Sequence, residues 1–228
     1  MSSGSTPNRR DPGVATGVLV GCAEGLEVFH RELEQVASTV GLCSPECPVR
    51  IAILDTGYDE EVPFFFFPGI QSRLKGWKDW VDGSDKPRDC DGHGTHLVSL
   101  LMKCAPEADV YVARIAKDSK DISESSESIA NAILWASREW EADIISMSFG
   151  FTDEQPCVGE AIDEVLYQRK HSILLFAAAS NYGGNGREMF PARHDSVILI
   201  RATNAYGDFE DSNPPKSEDE AIVLVHWA

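Results

Sequence analysis

Val49-Arg50-Ile51-Ala52-Ile53-Leu54-Asp55 is a nearly continuous apolar run that stops at Asp55-Thr56-Gly57. A short run of this kind reads as a buried strand, and the glycine permits a tight turn where it ends. The same alternation continues outward from it. Further strands are expected at Gly76–Val81, Asp109–Ile115, Asp143–Phe149, Ser172–Ala179 and Val197–Thr203. Helices are expected at His93–Lys103, Ser126–Trp140 and Gly159–Lys170; in the second of these Ile129, Ile133, Ala136 and Trp140 share one face. Strands alternating with helices of roughly 10–15 residues predict an α/β fold, a parallel sheet flanked by helices on both faces. In such sheets ligands sit beyond the carboxyl ends of the strands, so the chemistry should follow each strand.

The flanks differ from this middle. Residues 1–23 read as a flexible lead-in, polar over Met1–Pro12 and apolar over Val14–Ala23, with no secretory signal, which points to an intracellular, cytoplasmic protein. From Glu24 to Val40 apolar residues fall at helical spacing, and Gly41–Pro48 reads as a linker. The organisation expected is therefore an N-terminal segment over 1–48, a globular domain over 49–204, and an acidic loop with a short apolar ending over 205–228.

Composition narrows the function. Of 228 residues, 43% are hydrophobic and 25% charged, ordinary for a packed domain, and no apolar run is long enough for a membrane span. Lys and Arg number 20 against 37 Asp and Glu, a net charge of −17. That balance speaks against nucleic acid and anionic membrane as partners and favours cationic ones. The 6 cysteines lack paired zinc spacing and read as free thiols, with a Cys43–Cys47 disulfide left open by their even number.

Four blocks could carry chemistry. Asp55 ends the first strand, where a carboxylate is either a turn former or part of a site. The Asp-Thr-Gly triplet also occurs in aspartic proteases, but those need two carboxylates sharing a proton, and the triplet occurs once. In Asp91-Gly92-His93-Gly94-Thr95-His96 the two glycines leave His93 uncrowded at a helix start, available as a general base. His93 and His96 also have the spacing of a metal pair, with no third ligand motif beside them. Ser148-Phe149-Gly150 and Ala178-Ala179-Ser180-Asn181 each close a buried strand, and an asparagine there either forms a turn or aims its amide at a developing oxyanion.

Taken in this order, the blocks resemble those of the subtilisin-like serine proteases, the subtilases. Ile53-Leu54-Asp55-Thr56-Gly57 resembles the family's aspartate block and His93-Gly94-Thr95-His96 its histidine block. Ser148-Phe149-Gly150 resembles Ser-Leu-Gly, and Ala178 to Asn181 resembles Ala-Ala-Gly-Asn, with Phe149 and Ser180 as departures. The resemblance covers about Val49 to Asn204 and implies a three-layer parallel α/β fold. It implies catalytic roles for Asp55, which orients the imidazole, and His93, which moves the proton. It further implies Asn181 as oxyanion donor, the Ser148–Gly150 backbone as a substrate-binding strand, and a protein or peptide substrate. No cofactor is expected, although many members bind calcium. Oligomeric state is not legible.

One part is missing from the pattern. The family's nucleophile sits in Gly-Thr-Ser-x-Ala, and no such block occurs in the 228 residues. In subtilisin the serine follows the histidine by about 155–160 residues, which from His93 points to about position 250. The expectation is a subtilase fold incomplete at its C-terminus, inactive alone. The alternatives are a non-catalytic peptide- or partner-binding protein, or a substitute nucleophile such as Cys90 or Cys157.

Overall fold

The computed structural model describes residues 47–118, 125–179 and 187–203, together with 31, 122, 211, 213–214 and 223–226. The sheet lies in a compact unit running from Pro45 to Trp227. The amphipathic stretch Glu24–Val40 lies outside the described residues except for Arg31, which is helical.

The strands are β1 (Arg50–Asp55), β2 (Leu74–Asp79), β3 (Asp109–Arg114), β4 (Ile144–Met147), β5 (Leu174–Ala178), β6 (Ile198–Thr203) and β7 (Val223–His226). They form one sheet in the order β2-β3-β1-β4-β5-β6-β7. Every pairing is parallel. The crossovers carry α1 (His93–Cys104), α2 (Ser126–Arg138) and α3 (Pro156–Gln168).

The three layers follow from the strand period of two. Along β1, Ala52 and Leu54 point to one face, where they join Ile129, Ile133 and Ala136 of α2 and Val158, Ile162 and Val165 of α3. Ile53 points to the other face and joins Val98 and Met102 of α1, with Val110 and Val112 of β3. Both faces of β1 are therefore covered, which is why its sequence is apolar at consecutive positions rather than alternating. The chain passes from β1 outward to β2, returns through β3, and crosses to β4 on the far side of β1. That reversal opens a crevice at the carboxyl end of β1.

Several boundaries depart from the sequence expectation. Helix α3 starts at Pro156, not Gly159, because proline at the first helical position needs no amide partner. Helix α2 stops at Arg138, and Trp140 stacks instead on Tyr111 at 5.4 Å between ring centroids. Strand β4 is shorter than Asp143–Phe149, since the Asp143 carboxylate accepts the Arg50 N–H at 2.9 Å and Phe149 turns into the core. Val223–His226, expected as part of a short tail, is a strand paired with Ile200–Thr203. Among the described residues, Cys47, Cys90 and Cys157 are free thiols. Among the described residues no helix is long and apolar enough to cross a membrane.

Candidate active site

Asp55 is the last residue of β1 and is 4% exposed. His93 is the first residue of α1. Although 38 positions apart in sequence, they meet: His93 Nδ1 lies 2.8 Å from Asp55 Oδ1 and 3.1 Å from Oδ2. The approach is set by glycine. A Cβ on Gly94 would lie 2.1 Å from the Gly57 carbonyl oxygen and 3.1 Å from Asp55 Oδ1, so only glycine lets α1 start this close to the strand end. Gly57 itself has φ +106°, and a Cβ there would meet the Arg88 carbonyl at 2.2 Å.

Hydrogen bonds lock the remaining freedom. Thr56 N–H donates to Asp55 Oδ1 at 2.7 Å, and Gly94 N–H donates to Thr56 Oγ1 at 3.0 Å. Asp89 gathers the start of α1. Its Oδ1 accepts the N–H groups of Asp91 and Gly92, both at 3.0 Å, and its Oδ2 accepts the Thr95 N–H at 2.8 Å and hydroxyl at 2.7 Å. The sequence reading passed over Asp89. Its signal was an aspartate just ahead of a helix start, the position from which a side chain satisfies the first free amides.

Electrostatics follow from these contacts. The hydrogen bond to Asp55 raises the His93 pKa above the ordinary imidazole value, burial opposes it, and the Asp55, Asp91 and Asp89 charges add to the rise. Burial pushes the Asp89 carboxyl up, but the Thr95 and Gly92 donors outweigh it and hold it below the usual carboxylate range. With Nδ1–H held by the carboxylate, a neutral imidazole keeps its lone pair on Nε2. The His93 side chain is 40% exposed, so that nitrogen is open to an incoming group.

The other expected residues fall as follows. Ser148–Gly150 follow β4 at the same end of the sheet. The Phe149 side chain is buried against Phe151, and a Cβ on Gly150 would meet Met189 Cβ at 2.5 Å. Asn181 lies outside the described residues. His96 is exposed on α1, and no group of three or more His, Cys, Asp or Glu fit to hold a metal occurs among the described residues. Calcium, which the resemblance allows, has no such cluster there. Neither Cys90 nor Cys157 hydrogen-bonds to His93 among the described residues.

A buried carboxylate bonded to a half-exposed imidazole, at the carboxyl end of a three-layer parallel sheet, is an arrangement that can take up and return a proton. The chain belongs to the subtilase family, peptidase type S8, which it matches over residues 48–220. It is similar to the intracellular serine protease of Paenibacillus polymyxa, with 30% identity over 185 residues that cover 72% of this chain and 53% of that one. It is also similar to the major intracellular serine protease of Bacillus subtilis (strain 168), with 28% identity over 192 residues, 77% of this chain and 57% of that one. The chain thus spans just over half the length of these curated relatives. Among solved structures, the prenylagaramide maturation protease PagA has a TM-score of 0.59 at 21% identity, covering 77% of this chain and 61% of that one. A cold adapted subtilisin-like serine proteinase matches with a TM-score of 0.59 at 19% identity, covering 75% and 60%. Both structural likenesses speak for the fold.

Proposed function

We propose that the protein is a serine-type endopeptidase of the subtilisin kind, and that these 228 residues carry its general base and oxyanion donor but not its nucleophile. The observation that supports this most is the Asp55–His93 pair, at 2.8 Å, beyond the carboxyl end of β1. In this reading His93 Nε2 takes the proton of an attacking serine hydroxyl and returns it to the leaving amine. Asp55 holds the tautomer and stabilises the imidazolium. The Asn181 amide faces the developing oxyanion, and the Ser148–Gly150 backbone pairs with an extended substrate. The substrate is a polypeptide. The relatives named as intracellular proteases support action inside the cell.

The 228 residues contain no Gly-Thr-Ser-x-Ala, so attack by serine requires residues outside them. That same feature favours a second reading, in which the protein binds peptides without cleaving them. A fluorophosphonate probe separates the two. The 228-residue chain is expected to remain unlabelled. A longer product of the same reading frame with a Gly-Thr-Ser-x-Ala block is expected to label stoichiometrically and to lose labelling in His93→Ala. Stoichiometric labelling of the 228-residue chain would overturn the assignment of a missing nucleophile. A frame with no such block would leave the binding reading.

A further inference from the structure

One ion cluster moors the loop between β2 and α1 at both of its ends. Asp79 closes β2, and its Oδ1 accepts the N–H groups of Val81 at 2.8 Å and Asp82 at 3.1 Å. Arg114 closes β3 and places Nη1 3.1 Å from Asp79 Oδ2 and 2.8 Å from Asp82 Oδ2. Arg88 reaches the same two carboxylates from the far end of the loop. Its Nη2 pairs with Asp82 Oδ2 and lies 3.6 Å from Asp79 Oδ2. Lys117 Nζ adds a further cation, 3.9 Å from Asp82 Oδ1.

Arg88 stands directly before the residue that gathers α1. Asp89 accepts the Gly92 N–H and both Thr95 donors, and the Thr56 side chain bonds to it as well. The Arg88 backbone faces the turn that follows Asp55. A Cβ on Gly57 would lie 2.2 Å from the Arg88 carbonyl oxygen and 3.2 Å from Arg114 Cδ. Residues 88 and 89 therefore form a wedge between the end of β1 and the helix that His93 opens. Between β2 and α1 the chain has no helix or strand to hold that wedge. Ties nearer the start of the loop, such as Trp77 Nε1–H to the Ser84 carbonyl at 2.8 Å, do not reach residue 88. The Arg88 side chain does, by closing the loop on Asp82 and fastening it to the ends of β2 and β3.

We infer that Arg88 is a positioning residue for the Asp55–His93 pair, holding residues 88 and 89 so that His93 Nδ1 meets the Asp55 carboxylate. That the pair acts as a base in proteolysis rests on the protease reading; its placement by Arg88 does not. The test reads the imidazole of the 228-residue chain by NMR and needs no nucleophile. Removing Arg88 has two effects of opposite sign. Loss of a nearby cation by itself raises a histidine pKa. Loss of position lowers it, because the hydrogen bond to Asp55 is the largest cause of the raised value, with the Asp55, Asp91 and Asp89 charges adding to it against burial. In R88M the midpoint of the His93 Cε1–H titration is therefore expected to fall toward the ordinary imidazole value, and the Nδ1–H proton to exchange faster with water. One Arg88 nitrogen serves both carboxylates, so a lysine ammonium can stand in for it. R88K is expected to titrate close to the native chain. R138M breaks an ion pair between α2 and α3 whose arginine is 45% exposed, against 42% for Arg88, and is expected to leave His93 unchanged. R88M is expected to unfold cooperatively in urea, since Arg114 and Lys117 still neutralise Asp79 and Asp82.

An unchanged or raised midpoint in R88M overturns the inference, as does an equal fall in R88K or in R138M. Loss of the cooperative urea transition in R88M overturns it too, because Arg88 would then serve the fold as a whole. A failed fluorophosphonate test together with a lowered R88M midpoint counts against the protease reading alone.

Discussion

The Asp55 carboxylate is the largest cause of the raised His93 pKa. Asp55→Asn is therefore expected to bring the imidazole down to or below its ordinary value of about 6.5, read from the His93 Cε1–H shift in an NMR titration. The sign of the stability effect follows. A histidine whose pKa is higher folded than unfolded stabilises the fold fully below the unfolded value. It loses that contribution as pH rises through the folded value. Urea unfolding of the native chain should show this decline above about pH 6.5, and Asp55→Asn should flatten it. For proton transfer the direction is opposite, because only neutral His93 is a base. Under the protease reading, activity is expected to rise as pH rises through the raised value. Gly94→Ala places a methyl 2.1 Å from a backbone oxygen. It is expected to cost about 1–3 kcal/mol in urea unfolding, the usual range for overpacking.

At the scale of elements, two carboxylates hold strand and helix ends in place. Asp89 accepts four donors at the start of α1, so Asp89→Ala is expected to remove about 1–2 kcal/mol, as for a lost helix cap, and to broaden the His93 resonances. Asp79 ends β2 and joins it to β3 through Arg114, whose Nη1 lies 3.1 Å from Asp79 Oδ2; the two side chains are 0% and 1% exposed. Burial pushes the Asp79 carboxyl up. The Asp82 and Val81 N–H groups and the Arg114 guanidinium more than offset this and hold it low. Such a group stabilises the fold above the ordinary carboxylate value, and that stability is lost as pH falls through the depressed one. Asp79→Asn is expected to cost on the order of 3 kcal/mol at neutral pH, as for one half of a buried pair, and to remove part of the acid transition below about pH 4. Neither carboxylate stands out in the sequence. Asp89 sits near a helix start and Asp79 within a strand, and only the buried or structured partner tells them from turn formers.

Across the whole molecule the sheet is covered unequally. Ile133 of α2 is fully buried against one face of the sheet, whereas Leu174 on the opposite face of β5 is 48% exposed, and Phe176 and Ile198 beside it are half-buried. Ile133→Ala is expected to cost about 2–5 kcal/mol, while Leu174→Glu is expected to stay within about 0.5 kcal/mol of the native chain. Parallel denaturation curves at one temperature would compare them.

The sequence alone was enough for the α/β alternation, for a parallel sheet and for the four blocks. These are local signals: apolar periodicity, turn glycines and short motifs survive reading one residue at a time. Strand β7 escaped it because Val223–His226 is too short to separate from an apolar tail without its partner Ile200–Thr203. Tertiary structure alone decided that Asp55 and His93, 38 residues apart, stand at hydrogen-bond distance. Their meeting depends on strand order and on the close backbone approach at Gly57 and Gly94, which no local pattern encodes.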